Sequence, residues 1–420
     1  MSSTLSFGTD NGLLEKVAEL SGQNLYACYQ CGKCTADCPF SFGPQQVVRF
    51  LQLGQVEKAL AHDTLWQCAS CYTCVAACPK GVDPVRIMRA LRTIDTDHGK
   101  GLRSRVFGKI DGLSKIGSGA MAPISNTLLK LPGSNLAAHQ FLGIHKNRSL
   151  PPFARRTFPS WHRNHTPLGD GHRGKVLLFN DTFMDYNLPQ VGIAATELLE
   201  MAGFRVELAK KVCCGRAMIS KGFYDQAAVQ ARANVEHLYE QTREGAFIVG
   251  CEPSCLLTLR DEYPDLVEPE MKEQALAVGR QAVLIDEFLA MLSDKGELEL
   301  DFDQAQTNGR SAIFHAHCQQ KALADPAKSM QLLNMAGYQA ELVNAACCGM
   351  AGSFGYEKEH YEASRAAGER GLFPAVRGRN GAEVVVMGIS CRHQIEDFTD
   401  AEPRHLTQVL RDAVTRSTGN

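Results

Sequence analysis

The spacing of its cysteines constrains this chain more than any other feature. Residues 28–39, CYQCGKCTADCP, and 68–79, CASCYTCVAACP, are two copies of C-x2-C-x2-C-x3-C-P. In that run three thiolates hold one [4Fe-4S] cubane and the fourth crosses to a neighbouring one, so two runs make two clusters. The pattern predicts Cys28, Cys31, Cys34 and Cys78 on one cluster, and Cys68, Cys71, Cys74 and Cys38 on the other. Pro39 and Pro79 fix the turn after each crossing ligand and remove a backbone donor there. Structural zinc is the competing use, but zinc sites pair C-x2-C units and have no need of a third evenly spaced cysteine.

The chain has 16 cysteines, and the other eight fall into two groups: Cys213, Cys214, Cys251 and Cys255, then Cys318, Cys347, Cys348 and Cys391. Residues 1–20 lack the basic start and apolar core of a secretory signal, which predicts a cytoplasmic, reducing setting. There, cysteines on this scale serve metal or redox chemistry rather than a disulfide framework. From about residue 173 apolar strand-like runs (KVLLFND, FIVGC, AVLID, SAIFHAH, EVVVMG) alternate with helical stretches, an α/β pattern. Residues 198–215, LLEMAGFRVELAKKVCCG, align without a gap on 332–349, LLNMAGYQAELVNAACCG, with ten of eighteen identical. The expected fold is therefore α+β overall. An α-helical ferredoxin module spans 1–98, a basic linker 99–172, and a duplicated α/β domain has its copies at 173–305 and 306–420.

Each copy reads strand, helix, strand, then Cys-Cys-Gly leading into a helix, whose free amides and dipole favour thiolate. A later strand returns Cys251 and Cys255 in the first copy and Cys391 in the second. Four thiolates per copy predict one or two clusters beyond those of the ferredoxin module. Asp181 is a further candidate ligand of the first site, the competing reading being a solvated residue at a strand end. His315 and His317, beside Cys318, are expected to line the second site; zinc at either copy, with these histidines as extra ligands, is the alternative.

Residues 12–95, including both cysteine runs, the helix between them and GVDP at 81–84, closely resemble the C subunit of heterodisulfide reductase. They also resemble the N-terminal parts of the glycolate oxidase and anaerobic glycerol-3-phosphate dehydrogenase iron-sulfur subunits. Residues 140–412 resemble the Cys-Cys-Gly family, which includes the B subunit of heterodisulfide reductase. CEPSCLLTLRDEYPDL, HCQQKAL, CCGMAGSFGYEKEHY and SCRHQI are similar to the iron-sulfur halves of FAD-linked oxidases of the D-lactate type. The full family motif has an initial cysteine some thirty residues before Cys-Cys and a closing C-x2-C. Here Asp181 lies near the first copy's initial position, the first copy closes with C-x3-C, and the second keeps only Cys391. Five thiolates per copy are not available, which favours cubanes over the noncubane double cluster of the disulfide-reducing members. The resemblance implies an electron relay fed by a flavoprotein, either an FAD-linked dehydrogenase of a 2-hydroxy acid or an electron-transfer flavoprotein, and drained by quinone or another acceptor. Thiol/disulfide chemistry at a Cys-Cys-Gly cluster is its alternative implication.

No G-x-G-x-x-G follows a strand, and GMAGSFG at 349–355 belongs to a Cys-Cys-Gly turn, so flavin or nicotinamide is expected on a partner and not in this chain. The formal net charge of −2 gives no overall pull toward nucleic acid. Residues 99–163 nevertheless carry eleven Lys or Arg (Lys100, Arg103, Arg105, Lys109, Lys115, Lys130, Lys146, Arg148, Arg155, Arg156, Arg163) against one acid, Asp111. With Phe107, Leu128, Leu129, Phe141, Phe153, Phe158 and Trp161 interleaved, this segment fits an acidic partner or a peripheral position on the inner membrane, or else an arm lying on its own protein.

Overall fold

Proline placement and apolar spacing together fix the N-terminal helices. Pro44 and Pro84 open the helices Pro44–Gln52 and Pro84–Ile94 at the first turn, where the missing N–H costs nothing. Asp83 caps the second, accepting from Val85 N at 2.8 Å and Arg86 N at 2.9 Å. Val47, Val48 and Leu51 on one helix, and Ile87, Met88 and Leu91 on the other, recur at helical spacing and close on Val17 and Leu65 as a small core. The computed structural model describes residues 11–95, 101–307 and 309–415.

Two four-stranded parallel sheets follow. The first contains β1 (Lys175–Phe179), β2 (Arg205–Leu208), β3 (Ile248–Gly250) and β4 (Ala282–Leu284) in the order β2-β1-β3-β4. The second contains β5 (Ser311–His315), β6 (Gln339–Leu342), β7 (Glu383–Val386) and β8 (Arg404–His405) in the order β6-β5-β7-β8. The central strands are apolar along their length, as strands covered by helices on both faces must be. One core joins the sheets, bringing Leu178, Val249, Ile285 and Leu289 against Phe314, Val385, Leu406 and Leu410. The chain is thus mixed helix and parallel sheet.

Residues 102–162 fold as short helices, among them Leu102–Gly108, Ile110–Gly117, Ala122–Lys130 and Ser134–Phe141. Lys100 lies outside the described residues. Arg103 and Arg148 are engaged by this protein's own acids: Arg103 pairs with Glu357 and Glu359, and the fully buried Arg148 with Asp397 at 3.0 Å. Among the described residues no helix is long and apolar enough to cross a membrane.

The helical module docks against both sheet-containing halves. Tyr72 donates to Asp261 at 2.5 Å, while Arg86 meets Asp261 at 3.0 Å and Arg89 meets Asp265 at 2.6 Å. On the second half, Arg370 donates to Cys38 O and to Ser41 Oγ, both at 2.7 Å. Phe40 stacks edge-on against Phe354 with centroids 4.9 Å apart.

Candidate metal centres

In both ferredoxin-type loops the backbone turns left-handed at the same two positions. Gln30 and Gly32 have φ of 65° and 78°, and Ser70 and Tyr72 have φ of 49° and 61°. Left-handed backbone at a serine, a glutamine and an aromatic residue is held only where the surroundings demand it. Alternating turns of this kind aim successive amides into one concavity, the backbone arrangement that receives anions and iron-sulfur groups. Ser70 N already reaches Cys68 Sγ at 3.4 Å. Two-residue spacing, thiols on the rim and amides inside suit a cubane. All sixteen cysteines are free thiols.

The thiols gather in four places. Burial first, then the nearby charges of Cys28, Cys31 and Cys78, push the Cys34 thiol up. Cys68, also raised chiefly by burial, feels Cys71 and Cys38. Cys74 is raised by burial and then by Cys68 and Cys71, and it packs beside Cys34, so the two groups adjoin.

In the first sheet's half, Cys214 lies against Cys213 and Cys255. Cys251 does not join them: it faces the core between the sheets with Val249 and Ile285, whereas Cys255, one helical turn on, faces the opposite core with Cys214. Burial, then Asp181, raises the Cys251 thiol. Asp181 is neither solvated nor free. It is 5% exposed and caps the helix Thr182–Tyr186, accepting from Phe183 N at 2.9 Å and Met184 N at 3.1 Å.

In the second half, Cys347 touches Cys318 and Cys348, and Cys348 touches Cys391 and His315. One donor atom each of His315, Cys348 and Cys391 lies within 4.8 Å of the others. Cys347 also meets Cys71 of the ferredoxin-type loops, and that thiol contact is the main cause holding Cys71 down at about 7. Cys38, Cys71, Cys318 and Cys347 share one apolar cluster with Phe40 and Phe354. His317 has a different duty: its Nδ1 caps the helix Cys318–Leu323 by accepting from Gln319 N at 3.2 Å, and burial holds its pKa down at about 4.

Aligned on their strands, the halves match at several positions. β1 ends at Phe179 and β5 at His315; two residues on, Asp181 and His317 cap the next helix, so Thr182 stands where Cys318 stands. Cys255 and Cys391 each lie three residues after the caps Glu252 and Gly388, which pairs Cys251 with Met387. The Cys-Cys-Gly turns then diverge. Gly215 caps the helix Arg216–Ser220, as expected, but Gly349 starts no helix; its chain turns through Ala351 at φ 45° into a short 3-10 stretch, Phe354–Tyr356. A Cβ on Gly349 would sit 2.1 Å from Ser364 O, so only glycine fits this close approach.

Sequence reasoning passed over Arg216, one residue after Cys-Cys-Gly. Burial works against its charge, but the Glu262 carboxylate paired with it keeps it cationic, between the first site and the ferredoxin-type loops. Its place directly after the thiols was the available signal.

A model of the 4Fe-4S dicluster domain matches residues 27–82, and one of the Cysteine-rich domain matches residues 179–260. The C subunit of the anaerobic glycerol-3-phosphate dehydrogenase of Escherichia coli K12 is 30% identical over 318 residues, 74% of this chain and 77% of that protein. The chain belongs to that family. It is an iron-sulfur electron-transfer subunit carrying 4Fe-4S clusters. D-2-hydroxyglutarate dehydrogenase of the same organism is 28% identical over 241 residues, 57% of this chain but 22% of that protein. Lactate utilization protein A of Macrococcus caseolyticus is 36% identical over 104 residues, 24% of this chain and 40% of that protein.

Proposed function

We propose that the chain relays electrons between a flavoprotein partner and a membrane acceptor, through cysteine groups set in a fixed order. The observation that carries this reading is the Cys71–Cys347 contact, which joins the ferredoxin-type loops to the second Cys-Cys-Gly site. On this reading Cys28, Cys31, Cys34 and Cys78 form one ligand set, and Cys68, Cys71, Cys74 and Cys38 the next. Cys318, Cys347, Cys348 and Cys391 form a third, and Cys213, Cys214 and Cys255 a fourth. When bound, the clusters take electrons one at a time and so divide the two-electron output of a flavin into single steps. The chain's own part is to hold the thiolates, keep water out with Phe40 and Phe354, and place Arg216 and Arg370 nearby as fixed positive charge. The shared strand order and the matched caps support an internal duplication, with copies at 173–305 and 306–420 after a helical module and a basic connecting region.

The relatives' names point to glycerol 3-phosphate, 2-hydroxyglutarate and lactate, all small molecules with an oxidisable hydroxyl group. A partner dehydrogenase of that substrate class, carrying FAD, is the proposed donor. Residues 102–141 expose Leu102, Ile116, Ile124, Leu128, Leu136 and Phe141, the last 77% exposed, and Lys109, Lys115 and Lys130 beside them are exposed too. Such a surface fits the anionic cytoplasmic face of a membrane, where a quinone acceptor is met. Sedimentation with anionic vesicles at low salt, released at high salt, tests this placement; equal binding to neutral vesicles contradicts it.

A second reading, thiol/disulfide chemistry, is favoured by one observation. Cys213, Cys214 and Cys255 of the first site and Cys318 of the second line one apolar cavity of about 170 Å³, with Phe107, Leu150 and Phe183. Anaerobic turnover decides between the two. A relay is reduced by a flavoprotein donor and reoxidised by a quinone analogue, whereas a disulfide reductase, supplied with an artificial one-electron reductant and no flavoprotein, takes up two electrons and two protons for each heterodisulfide it splits into two thiols.

A further inference from the structure

His315 ends β5 only 1% exposed; no nitrogen or oxygen partners either ring nitrogen among the described residues, and its polar neighbour is the thiol of Cys348. Buried polar atoms are almost always satisfied, and one that is not calls for an explanation such as a bound ion. The Cys348 and Cys391 thiols lie against this ring, with one donor atom from each of the three residues within 4.8 Å of the others.

The other half of the molecule shows that the fold does not require an imidazole here. At the matching strand end stands Phe179, packed with Cys214 and Cys255 just as His315 is placed with Cys348 and Cys391. A plain aromatic ring fills the position. What histidine adds is a nitrogen donor, and it adds it only in the half whose thiols contact the ferredoxin-type loops. His317 is different, because its Nδ1 is committed to a helix cap.

We propose that the imidazole of His315 takes the terminal position on one iron of the second Cys-Cys-Gly site, beside Cys348 and Cys391 and in place of one of that site's four thiolates. The inference rests on the reading of that site as a cluster site. Imidazole is a competent iron donor, and histidine in place of cysteine on one iron of a cluster raises its reduction potential. The second site is thereby the more oxidising of the two Cys-Cys-Gly sites, and it sits where it can draw electrons from the ferredoxin-type loops through Cys71 and Cys347.

The test uses the full-length chain, purified anaerobically with and without 15N-histidine, and pulsed EPR on the cluster signal that Cys391→Ser removes. The expected result is a nitrogen coupling that switches from the 14N to the 15N pattern on labelling. His315→Phe, which installs the first half's own residue, should abolish that coupling, keep the iron content and lower the midpoint potential of the same signal. Iron at the site without histidine nitrogen coupling, or a coupling that survives His315→Phe, overturns the proposal and leaves the cluster reading intact. A site that holds zinc or no metal overturns the cluster reading, and the proposal with it. The labelling experiment on the unaltered protein stands even where the variant fails to fold.

Discussion

The two Cys-Cys-Gly sites share a strand order and have two helix caps at matching positions, yet they present different chemistry. The second offers four thiols and a histidine and touches the ferredoxin-type loops; the first offers three thiols, a phenylalanine and Thr182 where the second has Cys318. Two positions, 179/315 and 182/318, carry most of the contrast. Two halves with the same strand order thus carry unequal donor sets, and the richer set stands where the second half meets the ferredoxin-type loops. On the relay proposed above, the second site carries the through-route and the first is a branch or an entry point.

The largest effect that would break this comparison comes from removing the junction. Cys347→Ser should cost the second site its cluster, a loss of about four iron atoms per chain, and stop electron transfer between the ferredoxin-type module and both sheet-containing halves. Cys213→Ser should cost the first site alone and leave the through-route working. Rapid-mixing reduction followed optically, with iron analysis, checks both. Equal impairment by the two variants contradicts the asymmetry.

The glycines of the two turns should also differ. Gly349→Ala forces a Cβ to 2.1 Å from Ser364 O at a φ of 96°, whereas a Cβ on Gly215, at φ 80°, meets nothing closer than 3.5 Å. Adding left-handed strain to overpacking gives a cost of about 2–5 kcal/mol at Gly349, against about 1–2 kcal/mol at Gly215 from strain alone. Denaturant unfolding of the two variants measures the difference directly.

His405 bonds matching points of the two halves. Its Nε2 donates toward Cys251 O at 3.2 Å and Met387 O at 2.9 Å, and its Nδ1 accepts from Thr407 N at 3.1 Å. Burial holds its pKa down at about 4, from 6.5. The folded protein keeps this ring neutral, while the unfolded chain protonates it below about pH 6.5. Stability from this group is therefore full above pH 6.5 and lost as pH falls toward 4, by about 3 kcal/mol in all. His405→Asn should be less stable at neutral pH and show a flatter decline across that window. An unchanged slope contradicts the assignment.

The smallest expected effect would sharpen the contrast by reducing it. Thr182→Cys puts a fourth thiol in the first site at the price of one hydrogen bond, Thr182 Oγ1 to Asp111 at 2.7 Å, worth about 1 kcal/mol. The first-site signal should then survive longer in air. An unaltered lifetime means that Thr182 does not mark the missing ligand position.

Much of this architecture is legible in the cysteines and the apolar runs. Two C-x2-C-x2-C-x3-C-P segments have few other uses, and KVLLF and SAIFH read as buried parallel strands because they carry no polar alternation. Other features are hidden for physical reasons. Cys251 and Cys255 are close in sequence, yet one precedes a helix and the other lies a turn inside it, so they face opposite cores. Phe179 and His315 share no residue type, and only the matched strand ends reveal them as counterparts. The Cys71–Cys347 contact joins distant segments that no local pattern links. The basic stretch after residue 100 reads as an arm because glycines and prolines interrupt it, whereas short helices packed on neighbouring elements absorb those breaks.

The most direct test of the relay is EPR of the fully reduced, anaerobically purified chain, with iron and sulfide counted on the same sample. The account predicts well above eight iron atoms per chain, about twelve to sixteen, and a cluster signal broadened by magnetic interaction across the Cys71–Cys347 junction. About eight iron atoms, with signals confined to the ferredoxin-type pair, would contradict it.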